Sequence, residues 1–252
     1  RADLPRAERT IRLSLYKPTD RNLARFNRRL SLPLSLLLVR TPVTANVFSV
    51  ALLGLGLYSA WLFSLGTYGS SVAGAALSLA AGILDGCDGE LARLRHEDSR
   101  LGCWLETITD YASYLALFAG MTAGAARYTG WTGWYAVGAA ALAGAILAFA
   151  LLAWLRHRLT GERPEEFGAV GRARFLDGGG RPARWLAKLS VTATRATMPY
   201  GVLALSLAGL FPAALLLAAV GANTYWIALA VRLEAMAGAV TSRAAPPSRA
   251  AW

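Results

Sequence analysis

The sequence predicts an all-α integral membrane protein, with six transmembrane helices preceded by an amphipathic interfacial helix. Three observations carry that expectation. Hydrophobic residues make up 55% of the 252 and charged residues only 16%, a balance too apolar for an ordinary soluble domain. Apolar stretches long enough to cross ~30 Å of hydrocarbon recur at 45–65, 69–91, 102–126, 131–155, 186–210 and 212–234. The charges are also segregated. With the amino terminus inside, Arg127 is the only Lys or Arg on the outer side, as the positive-inside rule requires. Both termini are therefore expected on the cytoplasmic side of the cytoplasmic membrane. The net charge of +11 follows from this topology and from attraction to anionic headgroups. No nucleic-acid-binding motif is present, so membrane lipids and not nucleic acid are the expected partners.

The expected organisation is a cytoplasmic N-terminal segment over 1–43, a six-helix membrane domain over 44–237 and a cytoplasmic tail over 238–252. Arg1 stands in place of Met, which suggests a processed or excised product, and the mixed polar and basic residues 1–20 carry no secretory signal. Residues 21–39 have a basic first half and an apolar second half, the pattern of a helix lying in the interface with arginines at headgroup level. At 41–49, TPVTANVFS starts the first span, with Thr44 or Asn46 placed to cap it. The spans are rich in Gly and Ala, which let helices pack closely in lipid. Trp131, Trp134 and Tyr135 mark the outer interface, and Trp104, Trp154 and Trp185 the inner one. The longest polar loop, 156–185, contains three consecutive glycines at 178–180 and reads as a solvated linker. In the fifth span Lys188 can snorkel to headgroups, while the deeper Arg195 needs an anion. In the sixth, Asn223 and Arg232 read as structural.

The chemistry concentrates at the end of the second span and the start of the third. Ionisable groups at membrane depth cost ~3 kcal/mol or more each and point to function. With residues 85–93 as helix, Asp85, Asp88, Gly89 and Ala92 share about one third of the circumference, Arg93 lies at its edge, and Glu90 points away. Gly102, Glu106 and Asp110 recur at i, i+4 and i+8 on the next segment, which makes a second face. A short reversal between Arg93 and Gly102 allows the two faces to meet. Carboxylate oxygens from two helices suit hard cations such as Mg²⁺, Mn²⁺ or Ca²⁺. Two such ions can bridge a pyrophosphate. Cys87 falls opposite the acidic face and reads as packing. Cys103 lies beside Gly102, and two cysteines with His96 make no zinc pattern.

These residues resemble the signature of the CDP-alcohol phosphotransferases (CDP-alcohol phosphatidyltransferases), D-x2-D-G-x2-A-R-x8-G-x3-D-x3-D. Asp85, Asp88, Gly89, Ala92, Arg93, Gly102 and Asp110 match it, and Glu106 stands where the family has Asp. The substitution keeps the charge and the oxygens one methylene further out. Thr44-Ala45-Asn46-Val47-Phe48-Ser49 resembles the T-P-N-x-x-T that opens the family's first membrane helix, with Ala for Pro and Ser for Thr. Lys17-Pro18-Thr19-Asp20, Asn27-Arg28-Arg29 and Thr41-Pro42-Val43-Thr44 look like the branch containing di-myo-inositol phosphate phosphate synthases. There the membrane domain is often fused behind a cytosolic nucleotidyltransferase, and an excised chain would fit that arrangement.

The resemblance implies a membrane transferase that moves a phospho-alcohol group from a CDP-alcohol to an acceptor hydroxyl and releases CMP at the cytoplasmic face. Two divalent ions, Mg²⁺ or Mn²⁺, would be held by Asp85, Asp88, Glu106 and Asp110, with Asp110 also the base. Asn46, Gly89, Ala92 and Arg93 would bind the nucleotide. Thr194-Arg195 resembles the Ser/Thr-Arg-Asp step of the inositol branch with Ala196 in place of Asp, which assigns Arg195 to a phosphate on the acceptor, the alternative being a structural pair with an acid of the second or third span. Expected partners are thus the CDP-alcohol donor, a small phosphorylated alcohol or lipid acceptor, a nucleotidyltransferase fused or separate, and a second copy of the chain as a homodimer. One alternative is a phospholipid synthase using CDP-diacylglycerol as donor. A more remote one is an ion-coupled transporter, against which count the acids gathered at one face and the lack of an internal repeat.

Overall fold

The computed structural model of the chain describes residues 22–95, 99–160 and 197–243. Among these residues every regular element is a helix and no strand occurs. In chain order they are α1 (Asn22–Leu38), α2 (Ala45–Ser64), α3 (Tyr68–Leu84), α4 (Gly86–Arg95), α5 (Arg100–Thr129), α6 (Trp134–Thr160), α7 (Met198–Leu207) and α8 (Phe211–Arg243). Four stretches are long and apolar enough to cross a membrane: Ala45–Ser64, Tyr68–Arg95, Trp134–Leu155 and Phe211–Val231. With that content the chain is an integral membrane protein. The 30-residue α5 is long enough to span, but Glu106 and Asp110 lower its apolar character.

Among the described residues, helices occupy the stretches expected to span, four of them long and apolar enough to cross a membrane, and their bounds differ from the expectation. α3 passes into α4 through Asp85, whose backbone stays helical, so Asp85 sits at a junction and not inside a single helix. α6 continues to Thr160 and α8 to Arg243, past the expected ends at 155 and 234. Of the expected fifth span over 186–210, only the part from Thr197 is described. Lys188, Arg195, Trp185, His96 and most of the 156–185 loop lie outside the described residues.

The termini are set locally. Thr44, not Asn46, caps α2 by accepting from the Val47 N–H. Thr67 and Ser70 form a reciprocal capping box on α3. Ser99 accepts from the Gly102 N–H at 3.0 Å and starts α5. At the opposite end of the bundle, Gly66 and Gly130 take left-handed backbone, with φ of 68° and 70°, where a side chain is strained.

α2 and α5 form the most extensive helix pair. A Cβ on Gly120 or Gly124 would overlap the carbonyl oxygens of Ala60 and Phe63, and one on Gly56 would lie 2.7 Å from Ser113 Oγ. Backbone therefore packs on backbone, the contact that stabilises helices in lipid. The buried core gathers Phe63, Leu117, Phe118, Met121 and Ala125 with Val202, Phe211 and Leu215, beyond Asp110 on α5 toward the end of α2 at Ser64. On α6 and α8, Asn223 donates to the Ala140 carbonyl at 2.9 Å and accepts from Trp226, the structural role expected of it. Val50, Leu57, Trp61, Leu217 and Val220 point outward, as lipid-facing positions should.

Gly124→Ala and Gly120→Ala are expected to destabilise the folded protein by about 1–3 kcal/mol through overpacking. Gly54→Ala and Gly221→Ala, where an added Cβ meets nothing within 4 Å, should leave it unchanged or slightly firmer. Thermal unfolding in detergent compares the four, and equal midpoints would refute the close-approach account.

Candidate active site

Around the polar end of the bundle, three helix faces bring the signature residues toward one another. Leu52, Gly56 and Ser59 on α2, Ser78, Ala81, Gly82 and Asp85 on α3, and Asp110, Ser113, Tyr114 and Leu117 on α5 line one cavity, with Pro199 of α7. Each set follows helical spacing, so each is a single stripe. The cavity is small, about 70 Å³. Asp85 and Asp110, the first and last acids of the signature, thus share one space.

Asp88 is 4% exposed. It accepts the Ser49 hydroxyl at 2.7 Å through Oδ2 and the Gly89 N–H at 2.6 Å through Oδ1. Glu106 and Asp85 lie within electrostatic range of it. Asn46 sits on the exposed start of α2 with its Oδ1 over Gly102, where a Cβ would approach it to 3.2 Å. Gly102 therefore lets α5 meet α2 at the site. A Cβ on Gly89 would meet the Arg93 guanidinium at 3.5 Å, so this position keeps the surface beside Arg93 low. Ala92 is half-buried on the same helix.

The donor set has the right chemistry for a hard divalent ion, since all four signature acids offer oxygen. As placed, no three Asp, Glu, His or Cys residues among the described residues stand close enough to hold one ion together. The structure brings Asp85 and Asp110 to one cavity and Asp88 near Glu106, and Arg195 is outside the described residues.

Three functional or framing contacts escaped the sequence reading. Ser49 was matched to a threonine of the family pattern, but only the fold shows that it reaches Asp88 across 39 residues. Among the described residues Arg95 takes backbone carbonyls as its partners. Its guanidinium donates to the carbonyls of Val43 at 2.7 Å, Leu38 at 3.0 Å and Val39 at 3.2 Å, and also to Thr41, tying the α1–α2 connection to the end of α4. Ser113 and Tyr114 follow Asp110 at i+3 and i+4, so extending its helical face would have found them.

The sequence profile of the CDP-alcohol phosphatidyltransferase family matches residues 42–241. The bifunctional IPC transferase and DIPP synthase of Rubrobacter xylanophilus is 35% identical over 128 residues, covering 50% of this chain. The aligned region is 26% of that relative's own length.

Ser49→Ala removes the hydroxyl from a buried carboxylate and is expected to cost about 1–3 kcal/mol. Ser49→Thr, which keeps the donor, should cost less. Unfolding midpoints of the two purified variants test the ordering, and the reverse ordering would show that the hydrogen bond is not what matters at this position.

Proposed function

The chain belongs to the CDP-alcohol phosphatidyltransferase family, which makes it a membrane transferase, and we propose that it moves a phospho-alcohol group from a CDP-alcohol to a polar acceptor hydroxyl of the inositol-phosphate type. The observation that supports this reading most is the shared cavity, where Asp85 and Asp110 meet beside Asp88 and Ser49. The DIPP synthase relative favours a polar, phosphorylated acceptor over CDP-diacylglycerol chemistry.

In this mechanism Asp85, Asp88, Glu106 and Asp110 would hold Mg²⁺ or Mn²⁺. When bound, such ions supply positive charge to a pyrophosphate and to the departing phosphate. The cytidine end rests on the low surface of Gly89 and Ala92, with Arg93 and Asn46 toward its phosphates. Arg195 binds the phosphate of the acceptor as a charge-assisted partner. Asp110 takes the proton from the acceptor hydroxyl. The acceptor oxygen bonds to the β-phosphorus, the bond from that phosphorus to the bridging oxygen breaks, and CMP leaves.

The remaining parts of the reading are topological. Six spans cross the membrane, with α1 in the interface and α7 completing the fifth span. Both termini and the site face the cytoplasm, because the arginines of α1 and α4 lie at the same end as the acids. A nucleotidyltransferase, fused or separate, supplies the donor, and a second copy of the chain is a further partner.

Asp88→Asn and Asp110→Asn should each leave a folded protein with CMP release reduced at least ~10³-fold. Glu106→Asp should stay active with a changed Mg²⁺/Mn²⁺ preference, and Glu106→Gln should be far worse. Arg195→Ala should raise the acceptor KM much more than the donor KM. The assay is CMP release by purified protein with CDP-inositol or CDP-diacylglycerol offered against inositol phosphate, inositol, glycerol 3-phosphate and serine. Near-normal turnover of either Asn variant would refute the site, and equal use of phosphorylated and unphosphorylated acceptors would refute the acceptor class.

A further inference from the structure

Glu90 lies inside the signature stretch at a position the signature leaves free. It is 0% exposed and faces away from the acids, toward α1. Arg28 Nη1 donates to its Oε1 at 2.8 Å, Ser31 Oγ to the same oxygen at 3.1 Å, and Ser35 Oγ to Oε2 at 2.6 Å. Cys87, three residues earlier, is 0% exposed in the same contact, with its Sγ 3.5 Å from the Ser31 carbonyl. A second junction holds the same buried face of α1 one turn earlier, where the Tyr200 hydroxyl of α7 donates to Asn27 Oδ1 at 2.6 Å. The residue before Tyr200, Pro199, lines the cavity that holds Asp85 and Asp110.

We propose that Glu90 is a positioning residue that docks α1 onto α4 and so fixes the direction in which Asp85 and Asp88 project. α4 is short, ten residues, and its register about its own axis decides where the acids point. Glu90 is two residues from Asp88, a rotation of about 200°, so anchoring Glu90 to α1 aims Asp88 toward Ser49. A carboxylate removed from water needs its donors in place, and three donors from one helix set both the rotation of α4 and the seat of α1. Asn27, one turn from Ser31 on the same face of α1, then ties that seat to the α7 wall of the cavity.

The consequence for catalysis rests on the proposed function, so the test includes readouts that need no turnover. In a Cys103→Ser reference protein, alkylation of Cys87 by N-ethylmaleimide reports whether α1 is seated, and Mn²⁺ binding followed by paramagnetic resonance reports the aim of the acids. Glu90→Gln keeps the size of the side chain but presents an amide to Arg28. It is expected to speed Cys87 alkylation at least tenfold, to weaken Mn²⁺ binding about tenfold, and to lower kcat about tenfold with acceptor KM within twofold. Glu90→Gln combined with Arg28→Gln restores an uncharged hydrogen-bonded pair and should recover most of all three. Cys87 as protected in Glu90→Gln as in the reference would overturn the docking. Faster alkylation with unchanged Mn²⁺ affinity would overturn the positioning. A reference protein that binds Mn²⁺ but releases no CMP from any donor refutes the proposed function and leaves both other readouts to judge Glu90.

Discussion

The close approach of α2 and α5 is the constraint from which the rest of the structure follows. Lipid offers no hydrophobic reward for bringing two helices together, so the contact must come from packing and from backbone meeting backbone. Gly120 and Gly124 supply it by leaving room for the carbonyls of Ala60 and Phe63, and Gly56 continues it to Ser113. With the two helices held this closely along their length, their polar ends also meet. Asn46 lies over Gly102, Ser49 reaches Asp88, and Asp110 opens on the cavity lined by Gly56 and Ser59. The aromatic and aliphatic core at the other end, around Phe63, Met121 and Phe211, clamps the pair where no chemistry is needed.

The polar end meets a different requirement. Buried charges need partners, and the fold provides them largely from backbone and from small hydroxyls. Arg95 is absorbed by four carbonyls between α1 and α2. Asp88 is held by a serine and a backbone N–H. Glu90 pairs with the Arg28 guanidinium and also accepts from two serines. Residues of the same charge and the same ten-residue helix therefore do different work. One side of α4 faces the site, another holds α1, and its end fastens the connection to α2.

Family and substrate stand at different levels. The signature describes the part of the reaction common to the whole family, which is the diphosphate and the leaving nucleotide. The alcohols on either side differ between substrates, so their recognition is proposed for side chains outside it. In this chain the strongest candidate for that role, Arg195, precedes α7, and Pro199 at the start of α7 already forms part of the cavity wall.

By itself the sequence determined the helical membrane class, the family and the stripe of acids. Those depend on composition, on the lengths of apolar runs and on spacing along one helix, all of which are local. It also placed the start of α2 to within two residues, although it could not choose Thr44 over Asn46 as the cap, because both carry an acceptor near the helix start. The tertiary structure decided which long-range partner each polar side chain takes. That Ser49 serves Asp88, that Arg95 grips backbone carbonyls, and that Glu90 is buried against α1 all depend on how three helices are rotated and shifted against one another. No spacing within a single helix encodes that, since the contacts span 39 to 62 residues and are set by where glycine allows backbones to touch.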